Sequence, residues 1–307
     1  MFSYIVKRLA VAVPTLLILI ILSFLLMHAA PGGPFTQEKA LPPEILANLN
    51  AKYGLDQPLW RQMISYVWGI VAHFDFGPSF IYKDRTVNEI IAQGFPVTLT
   101  YGSVAFVAAV VAGVSLGVMA AIFHNTWLDY LAVGISIGAQ VLPNFVMAPI
   151  LVLVFTLWLG WLPGGGWEGG QWQYVVMPVI ALATSYMASI ARIMRSSMLE
   201  VLNSGFIRTA RAKGLPMRRI ILHHALKPAM LPLLSYLGPA FVLMITGSFV
   251  IDMYFTTGGI GRFFVDSALN RDYSVIMGIT ILTGVLTILF SLVVDILYAW
   301  IDPKIRY

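Results

Sequence analysis

The sequence predicts an all-α integral membrane protein with six transmembrane helices. Of its 307 residues, 59% are hydrophobic and only 11% are charged, which leaves too few charges to cover a soluble protein of this length. Six apolar runs each provide the roughly 20 residues that a helix needs to cross the hydrocarbon. The bases are concentrated between alternate runs, which is typical of a multi-pass chain. The chain has no cysteine, which excludes disulfides and thiolate metal sites.

The first span covers Leu9–Ala30 and follows Lys7 and Arg8. Its apolar stretch is longer than the roughly 7–15 residues of a cleavable signal peptide, so we interpret it as an uncleaved membrane anchor. The other five spans are predicted near Val97–Phe123, Ala132–Trp158, Gly169–Ala191, Pro228–Ile251 and Tyr273–Val294.

The distribution of lysine and arginine predicts the orientation of these spans. With a cytoplasmic N-terminus, the inner segments hold twelve bases and the outer segments seven, so the N-in, C-in arrangement is favoured. The chain then divides into a cytoplasmic N-terminus with the first span (1–30), a structured extracytoplasmic loop (31–95) and a five-helix core (96–307). The core carries a cytoplasmic loop at 192–227.

The long outer loop has its own helix signals. Pro42-Pro43-Glu44 favours a helix start and Gly54 a stop, and a second helix is expected to begin near Pro58. That second helix carries Trp60, Tyr66 and Trp68, aromatic residues that suit the membrane–water boundary. The loop could dock an external partner or simply cap the bundle, and the residues favour neither alternative.

Five prolines lie within or beside the predicted spans, where neighbouring helices and water can satisfy the carbonyl groups that they free. They are either ordinary membrane-helix prolines or bends that widen a central pathway. The five are Pro143, Pro149, Pro178, Pro232 and Pro239.

Catalytic and nucleotide-binding motifs are absent from the sequence. It contains no P-loop, no H-E-x-x-H and no G-x-S-x-G, so we predict no catalytic residue and no ATP site in this chain. The glycines of Leu162–Gly170 match G-x-G-x-x-G, but they join two spans and lack the strand that a dinucleotide site requires, which predicts a flexible turn or lid. His223 and His224 are adjacent and therefore poor metal co-ligands. No metal site and no nucleic-acid partner are expected.

Ionisable residues are rare inside the predicted spans. His28 and Asp295 lie near span ends. Ion-driven carriers place such groups at mid-membrane depth, so this pattern argues against a stand-alone secondary carrier.

The segment Arg192–Lys227 holds eight bases and one acid. Gly214 favours a turn, and Leu215 is biased away from helix because a proline follows it. Before that turn, the spacing puts Phe206 and Ala210 on one side of a short helix and two arginines on another. Such a helix could lean on the bundle or on a partner, and the bases could equally anchor the loop to lipid phosphates.

Two runs that begin in this segment together resemble the coupling loop of ABC importer permeases of the peptide and nickel subfamily. They are Arg208-Thr209-Ala210-Arg211-Ala212-Lys213-Gly214-Leu215 and, further on, Ala225-Leu226-Lys227-Pro228-Ala229-Met230-Leu231-Pro232. Arg208-Thr209-Ala210 stands where the general family has Glu-Ala-Ala, and Gly214 keeps its spacing. Four more segments extend the resemblance along the chain. They are Arg192–Leu202, Gly259-Ile260-Gly261, Asp272-Tyr273 and Asp302–Tyr307. The first outer loop and Leu162–Gly170 are most similar to the B-type permease subunit of oligopeptide importers.

The resemblance implies the type I ABC importer transmembrane fold and a multi-pass permease in the bacterial inner membrane. It implies as partners a second, unlike permease, two ATPase subunits that bind ATP and magnesium, an extracytoplasmic peptide-binding protein and membrane lipid. The chain itself would hold no cofactor. The cargo implied is an oligopeptide, with dipeptides, glutathione or nickel chelates as alternatives.

By the same resemblance, loop 206–216 would sit in a groove of an ATPase subunit. The coupling residues would be Arg208, Thr209, Ala210, Arg211, Ala212, Lys213, Gly214 and Leu215.

Polar side chains in the third to fifth spans are candidates for the peptide path, where they could bond peptide backbone regardless of sequence. The alternative is helix–helix hydrogen bonding, which is common in membranes. The candidates are Gln140, Asn144, Ser185, Ser235 and Tyr236.

Overall fold

The computed structural model describes residues 2–29, 43–247 and 249–301 of the chain. These residues form helices, turns and one isolated β-bridge, between Pro78 and Thr86. The predicted C-terminal motif Asp302–Tyr307 and the segment 30–42 lie outside the described residues.

The described helices are, in chain order, α1 Phe2–Ala29, α2 Pro43–Lys52, α3 Leu59–His73, α4 Val87–Ile122, α5 Trp127–Val141, α6 Asn144–Leu151, α7 Trp172–Leu202, α8 Gly205–Ala212, α9 Met217–Arg219, α10 Leu226–Ile245, α11 Phe249–Tyr254, α12 Ile260–Asn270 and α13 Tyr273–Ile301. Two π-helical turns, Val152–Trp158 and Ile220–Ala225, extend α6 and precede α10.

The all-α prediction is confirmed, and the six predicted spans correspond to helices of this set. Within the described residues, five continuous helical stretches are long and apolar enough to cross a membrane, and a sixth span results if a bent pair counts as one. The bent pair is Trp127–Val141 with Asn144–Trp158, which meet at 101°.

The third predicted span, Ala132–Trp158, is therefore wrong as a continuous helix. The break falls at Leu142 and Pro143. Leu142 has extended backbone angles (φ −83°, ψ 106°), as expected of a residue that precedes proline. Proline also lacks the N–H that would continue the helix. The other four predicted bend sites lie within α6, α7 and α10.

The chain forms two compact units. The first comprises Met1–Pro96 and Gly258–Ile288, and the second Val97–Thr257 and Leu289–Tyr307.

In the first unit, α3 packs along α1. Ile20 and Ile70 share a buried cluster with Ile281 of α13, and the His28 imidazole lies 3.3 Å from the Gln62 side-chain oxygen. The two outer-loop helices occur where they were predicted, since α2 starts at Pro43 and α3 follows Pro58. Trp60 and Trp68 expose 60% and 65% of their surface.

A buried carboxylate organises the rest of that unit. Asp272 is fully buried and accepts a hydrogen bond from the Ser79 hydroxyl and others from the backbone N–H groups of Phe80 (3.2 Å) and Ile81 (3.3 Å). The segment between α3 and α4 is thereby tied to the start of α13.

In the second unit, α7 lies at the centre of the main apolar core. It buries Met177, Leu182, Ile190, Met194 and Met198, and it packs against α5, α6 and α10. Leu202 at its end belongs to the same core. Helix α7 thus continues eleven residues past the predicted span end at Ala191, so the first third of the predicted loop 192–227 is helical.

Helices α4 and α10 approach each other closely at Gly102. A Cβ on this residue would meet the carbonyl oxygen of Met244 and, at 3.1 Å, the Cα of Ile245. Small residues allow such backbone contacts between membrane helices.

Candidate functional site

The basic segment is built around α8, which is held between the end of α7 and the start of α10. Ile207 is fully buried and Ala210 is 8% exposed, and both join the core cluster that contains Leu202 and Ile220. The connection from α7 is only Asn203 and Ser204. The short linker and the buried face together fix α8 to the body of the second unit.

One predicted feature of this helix is wrong. We expected Phe206 and Ala210 to share the apolar side, but Phe206 is 50% exposed and Ile207 takes its place. Residues three apart, such as Ile207 and Ala210, share a helix face as well as residues four apart, such as Phe206 and Ala210. Of the two candidates, Ile207 is the one that reaches the core. Phe206 is left as an apolar side chain on the exposed surface.

The predicted turn at Gly214 is confirmed. Gly214 has φ +76°, in the left-handed region, and its N–H donates to the Arg211 carbonyl at 2.9 Å. The Leu215 N–H donates to the Ala210 carbonyl at 3.3 Å, which closes the end of α8. A Cβ at Gly214 would meet nothing within 4 Å, so within this chain only backbone conformation favours glycine here.

The exposed side of this region is positively charged. Arg208, Arg211, Lys213, Arg218 and Arg219 are all exposed, and none of them forms an ion pair with a carboxylate in the described part of the chain. Thr209 and Ala212 are exposed beside them. Together with Phe206, these bases form a surface that suits a partner with acidic and apolar side chains.

The five candidate peptide-path residues do not form one cluster. The Ser185 hydroxyl donates to the Asn144 side-chain oxygen at 3.1 Å, which joins α7 to α6. That contact is the helix–helix bonding considered as the alternative. Gln140 and Ser235 are exposed on α5 and α10, and Tyr236 is half-buried against the main core.

Sequence reasoning missed a buried ion pair. The carboxylate of Asp129 on α5 accepts hydrogen bonds from Nε (2.7 Å) and Nη2 (2.8 Å) of Arg195 on α7. It also accepts the backbone N–H of Asn125 at 3.0 Å, and Nδ1 of His124 lies 3.0 Å away. The signal was present, because Asp129 is an acid that directly follows an apolar run, but Arg195 had been assigned to the basic loop.

A second buried carboxylate lies just beyond the predicted end of the fifth span. Asp252 on α11 is fully buried and accepts hydrogen bonds from the hydroxyls of Tyr101 (2.8 Å), Thr98 (3.3 Å) and Thr257. Asp129 and Asp252 thus add two buried acids to a bundle that we expected to hold few ionisable groups.

The glycine-rich segment Leu162–Gly170 follows the π-helical turn Val152–Trp158, not the strand that a dinucleotide site requires. The Gly166 N–H donates to the carbonyl of Phe255 at 2.7 Å, so the segment is attached to the end of α11. A Cβ at Gly165 would lie 2.7 Å from the same carbonyl oxygen. These backbone contacts attach the segment to the end of α11, and its role as a flexible turn or lid stays a prediction.

Comparison with known proteins relates the whole chain to transporter subunits. Residues 113–307 match the family described as "Binding-protein-dependent transport system inner membrane component", and residues 1–102 match its N-terminal family. The chain is 58% identical to the oligopeptide transport system permease protein OppB of Salmonella typhimurium over the full length of both. It is 41% identical to the dipeptide transport system permease protein DppB of Bacillus subtilis, covering all of this chain and 98% of that one.

Solved structures of low sequence identity share the fold. An inward-facing MetNI methionine ABC transporter chain matches with a TM-score of 0.56 at 16% identity, covering 70% of this chain and 97% of the other. A chain of an amino acid ABC transporter crystallised with histidines matches with a TM-score of 0.54 at 19% identity, covering 69% and 94%. The fold is therefore that of type I ABC importer permeases.

Proposed function

The chain belongs to the binding-protein-dependent transport system inner membrane components, and from that membership we propose that it is the B-type permease subunit of an ATP-driven oligopeptide importer. The observation that carries the coupling part of the proposal is α8, a short helix fixed on its buried side and positively charged on its exposed side. A helix of that kind can transmit movement from a partner to the bundle.

The cargo is assigned from the degree of similarity. Identity to three OppB permeases of different bacteria is 57–58% over full length, whereas identity to the dipeptide permease DppB is 41%. An oligopeptide is accordingly the first choice and a dipeptide the second. Glutathione and nickel chelates remain further alternatives within the same type of machine.

The proposed assembly places this multi-pass chain in a bacterial inner membrane with both termini in the cytoplasm. A second, unlike permease completes the pathway, two ATPase subunits bind ATP and magnesium, and an extracytoplasmic binding protein delivers the peptide. The chain itself performs no hydrolysis and holds no cofactor.

The coupling step follows from how α8 is mounted. ATP binding closes the ATPase pair and moves α8. Arg208, Arg211 and Lys213, on α8 and the turn after it, offer polar contacts to the ATPase. Because Ile207 and Ala210 belong to the core cluster of α7 and α10, and α8 contacts the turn Ile220–Ala225, α8 cannot move far without the start of α10. The movement opens the bundle outward, and hydrolysis resets it.

The peptide path is proposed along exposed polar groups of α5 and α10. Gln140 and Ser235 are exposed, and Tyr236 is partly exposed beside Ser235, so these side chains can reach a passing peptide backbone. Asn144 and Ser185 support the path by joining α6 to α7. If Asn144→Ala changed neither peptide uptake nor peptide-stimulated ATP hydrolysis, Asn144 would have no place in it.

The experiment that tests coupling compares substitutions at Gly214 in the assembled, reconstituted transporter. Asparagine tolerates a left-handed backbone and valine does not. Gly214→Asp and Gly214→Asn keep the turn but add atoms where an ATPase would approach, so both are expected to abolish peptide uptake while the chain stays folded in the membrane. The matched control is Gly205→Asn, because a Cβ there also meets nothing within 4 Å and its φ is ordinary.

Full-rate uptake by Gly214→Asn would remove the close approach to an ATPase from the proposal. If Gly214→Val were then the only variant to lose peptide uptake, glycine would be needed at this position only for its left-handed backbone conformation.

A further inference from the structure

A basic cavity lies in the second unit between α4, α5 and α7. Its volume is about 410 Å³. Its charged part is formed by Arg192 and Arg195, with Ser196 beside them. These three residues are on one face of α7, because their spacing is i, i+3 and i+4.

The two arginines have donors to offer a ligand. Arg192 is exposed and pairs with no carboxylate among residues 2–29, 43–247 and 249–301. Arg195 uses Nε and Nη2 for Asp129, which leaves the N–H groups of Nη1 for another acceptor. Asp129 neutralises Arg195, so the cavity has a net positive charge from Arg192 and a guanidinium already fixed in position.

The rest of the cavity wall is apolar apart from Ser136, whose hydroxyl donates to the Ala132 carbonyl at 2.8 Å. Leu116 on α4 and Val133 and Ile137 on α5 line it, and Ile137 is 57% exposed. Leu116 lies six residues before the end of α4 and Ile137 ten residues after the start of α5. At 1.5 Å per residue, these side chains lie about 9 and 15 Å deeper than the turn that joins the two helices. The Arg195 guanidinium bonds Asp129 near that turn, and the Arg195 backbone lies level with Gly117, so the basic groups flank Leu116 and the apolar part of the cavity extends along α5 to Ile137.

We propose that this cavity binds one anionic phospholipid, with its phosphate on Arg192 and Arg195 and an acyl chain along Leu116, Val133 and Ile137. A free phosphate would satisfy the arginines but not the apolar wall, and a zwitterionic lipid would bring its own cation to the basic groups. Basic cavities between helices at the cytoplasmic side of a membrane suit anionic headgroups. The assignment to the cytoplasmic leaflet rests on the proposed function, through its N-in orientation.

The test titrates the full-length chain, purified in neutral detergent with the subunits that accompany it, with phosphatidylglycerol or phosphatidylcholine and counts bound lipid by native mass spectrometry. We expect one phosphatidylglycerol to bind more tightly than the rest. Arg192→Gln should weaken that binding about fivefold, since one base near a lipid surface contributes about that factor. The control is Arg218→Gln, an exposed base outside the cavity, which should leave the binding unchanged.

Three results would overturn the proposal. Phosphatidylcholine could bind as tightly as phosphatidylglycerol, which would show that the headgroup charge does not matter. Inorganic phosphate could displace the bound lipid at comparable concentration, which would indicate a generic anion site. A photocrosslinker at position 192 could also react with another subunit instead of lipid, which would assign the cavity to a protein contact. Peptide uptake is not a readout here, so failure of lipid binding leaves the permease proposal intact. Failure of the permease proposal would remove only the assignment to the cytoplasmic leaflet.

Discussion

The ion pair between Asp129 and Arg195 allows a quantitative prediction about what holds α5 to α7. Arg195→Met keeps much of the side-chain volume but removes both guanidinium hydrogen bonds, of 2.7 and 2.8 Å. The Asp129 side chain is 3% exposed, so its carboxylate would stay buried with the Asn125 N–H and His124 as its partners.

The expected cost follows from that burial. Removing one partner of a buried ion pair costs about 3–5 kcal/mol, because a charge is left without compensation. The Arg195 side chain is 28% exposed and water can partly replace it, so we expect the lower end, about 3 kcal/mol. A change of that size lowers the folded-to-unfolded ratio about 150-fold. Adding Asp129→Asn should restore about 2 kcal/mol, since the double variant buries no charge.

The measurement is reversible unfolding in mixed micelles, followed by circular dichroism, for the wild type, the two single variants and the double variant. Arg218→Met serves as the control, because Arg218 is exposed on α9 and forms no ion pair with the described residues. The reasoning is refuted if Arg195→Met costs no more than the control, or if the double variant is less stable than Arg195→Met alone.

Three further predictions concern single side chains. Phe206→Glu should reduce peptide-stimulated ATP hydrolysis several-fold without changing the free energy of unfolding, because Phe206 is exposed. Ile207→Glu, at a fully buried position, should destabilise the chain by about 3 kcal/mol in the same unfolding assay. Gly102→Val should cost about 2 kcal/mol because its Cβ meets the α10 backbone. Gly134→Val, whose Cβ meets nothing within 4 Å, should cost nothing or gain a few tenths of a kcal/mol, because valine is a better helix former than glycine, and equal costs would contradict the close approach. Asp252→Ala removes the acceptor of three hydroxyl groups and should lower the thermal unfolding midpoint, and an unchanged midpoint would show that these bonds contribute little.

The sequence predicts those parts of the fold that depend on local patterns. Apolar runs of about 20 residues identify the spans because a bilayer imposes that length. The starts of α2 and α3 follow from proline positions, and the turn at Gly214 follows from a glycine two residues before a proline. Each of these signals lies within a few residues of the structure that it predicts.

The parts that could not be predicted depend on contacts between distant residues. Hydropathy treats Ala132–Trp158 as one apolar run and does not show that Pro143 breaks it by 101°. The i,i+4 spacing predicts Phe206 on the apolar side with Ala210, whereas the structure buries Ile207 in the core and exposes Phe206. Asp129 gave no sign of its partner, because Arg195 is 66 residues away in the sequence.

The candidate site was predictable to a similar extent. Six of the eight coupling residues are exposed on a basic helix and turn, whereas Ala210 is buried in the core and Leu215 is half-buried, and their contact with an ATPase stays a prediction. The peptide-path residues were chosen by polarity, which does not distinguish a side chain that bonds a neighbouring helix, such as Asn144, from one that faces open space, such as Gln140.

The π-helical turn Ile220–Ala225, at the entry to α10, has a consequence for how α8 is aligned. A π turn contains one residue more than an α turn needs, so the chain stores a spare residue at that point. Deleting one residue there would let the backbone return to ordinary α geometry, and the segments before and after the deletion would keep nearly the same alignment around the helix axis, because the wider turn absorbs the extra residue. The bases of α8 would then keep their direction, so the entry to α10 could lose this residue without turning the surface that this chain presents.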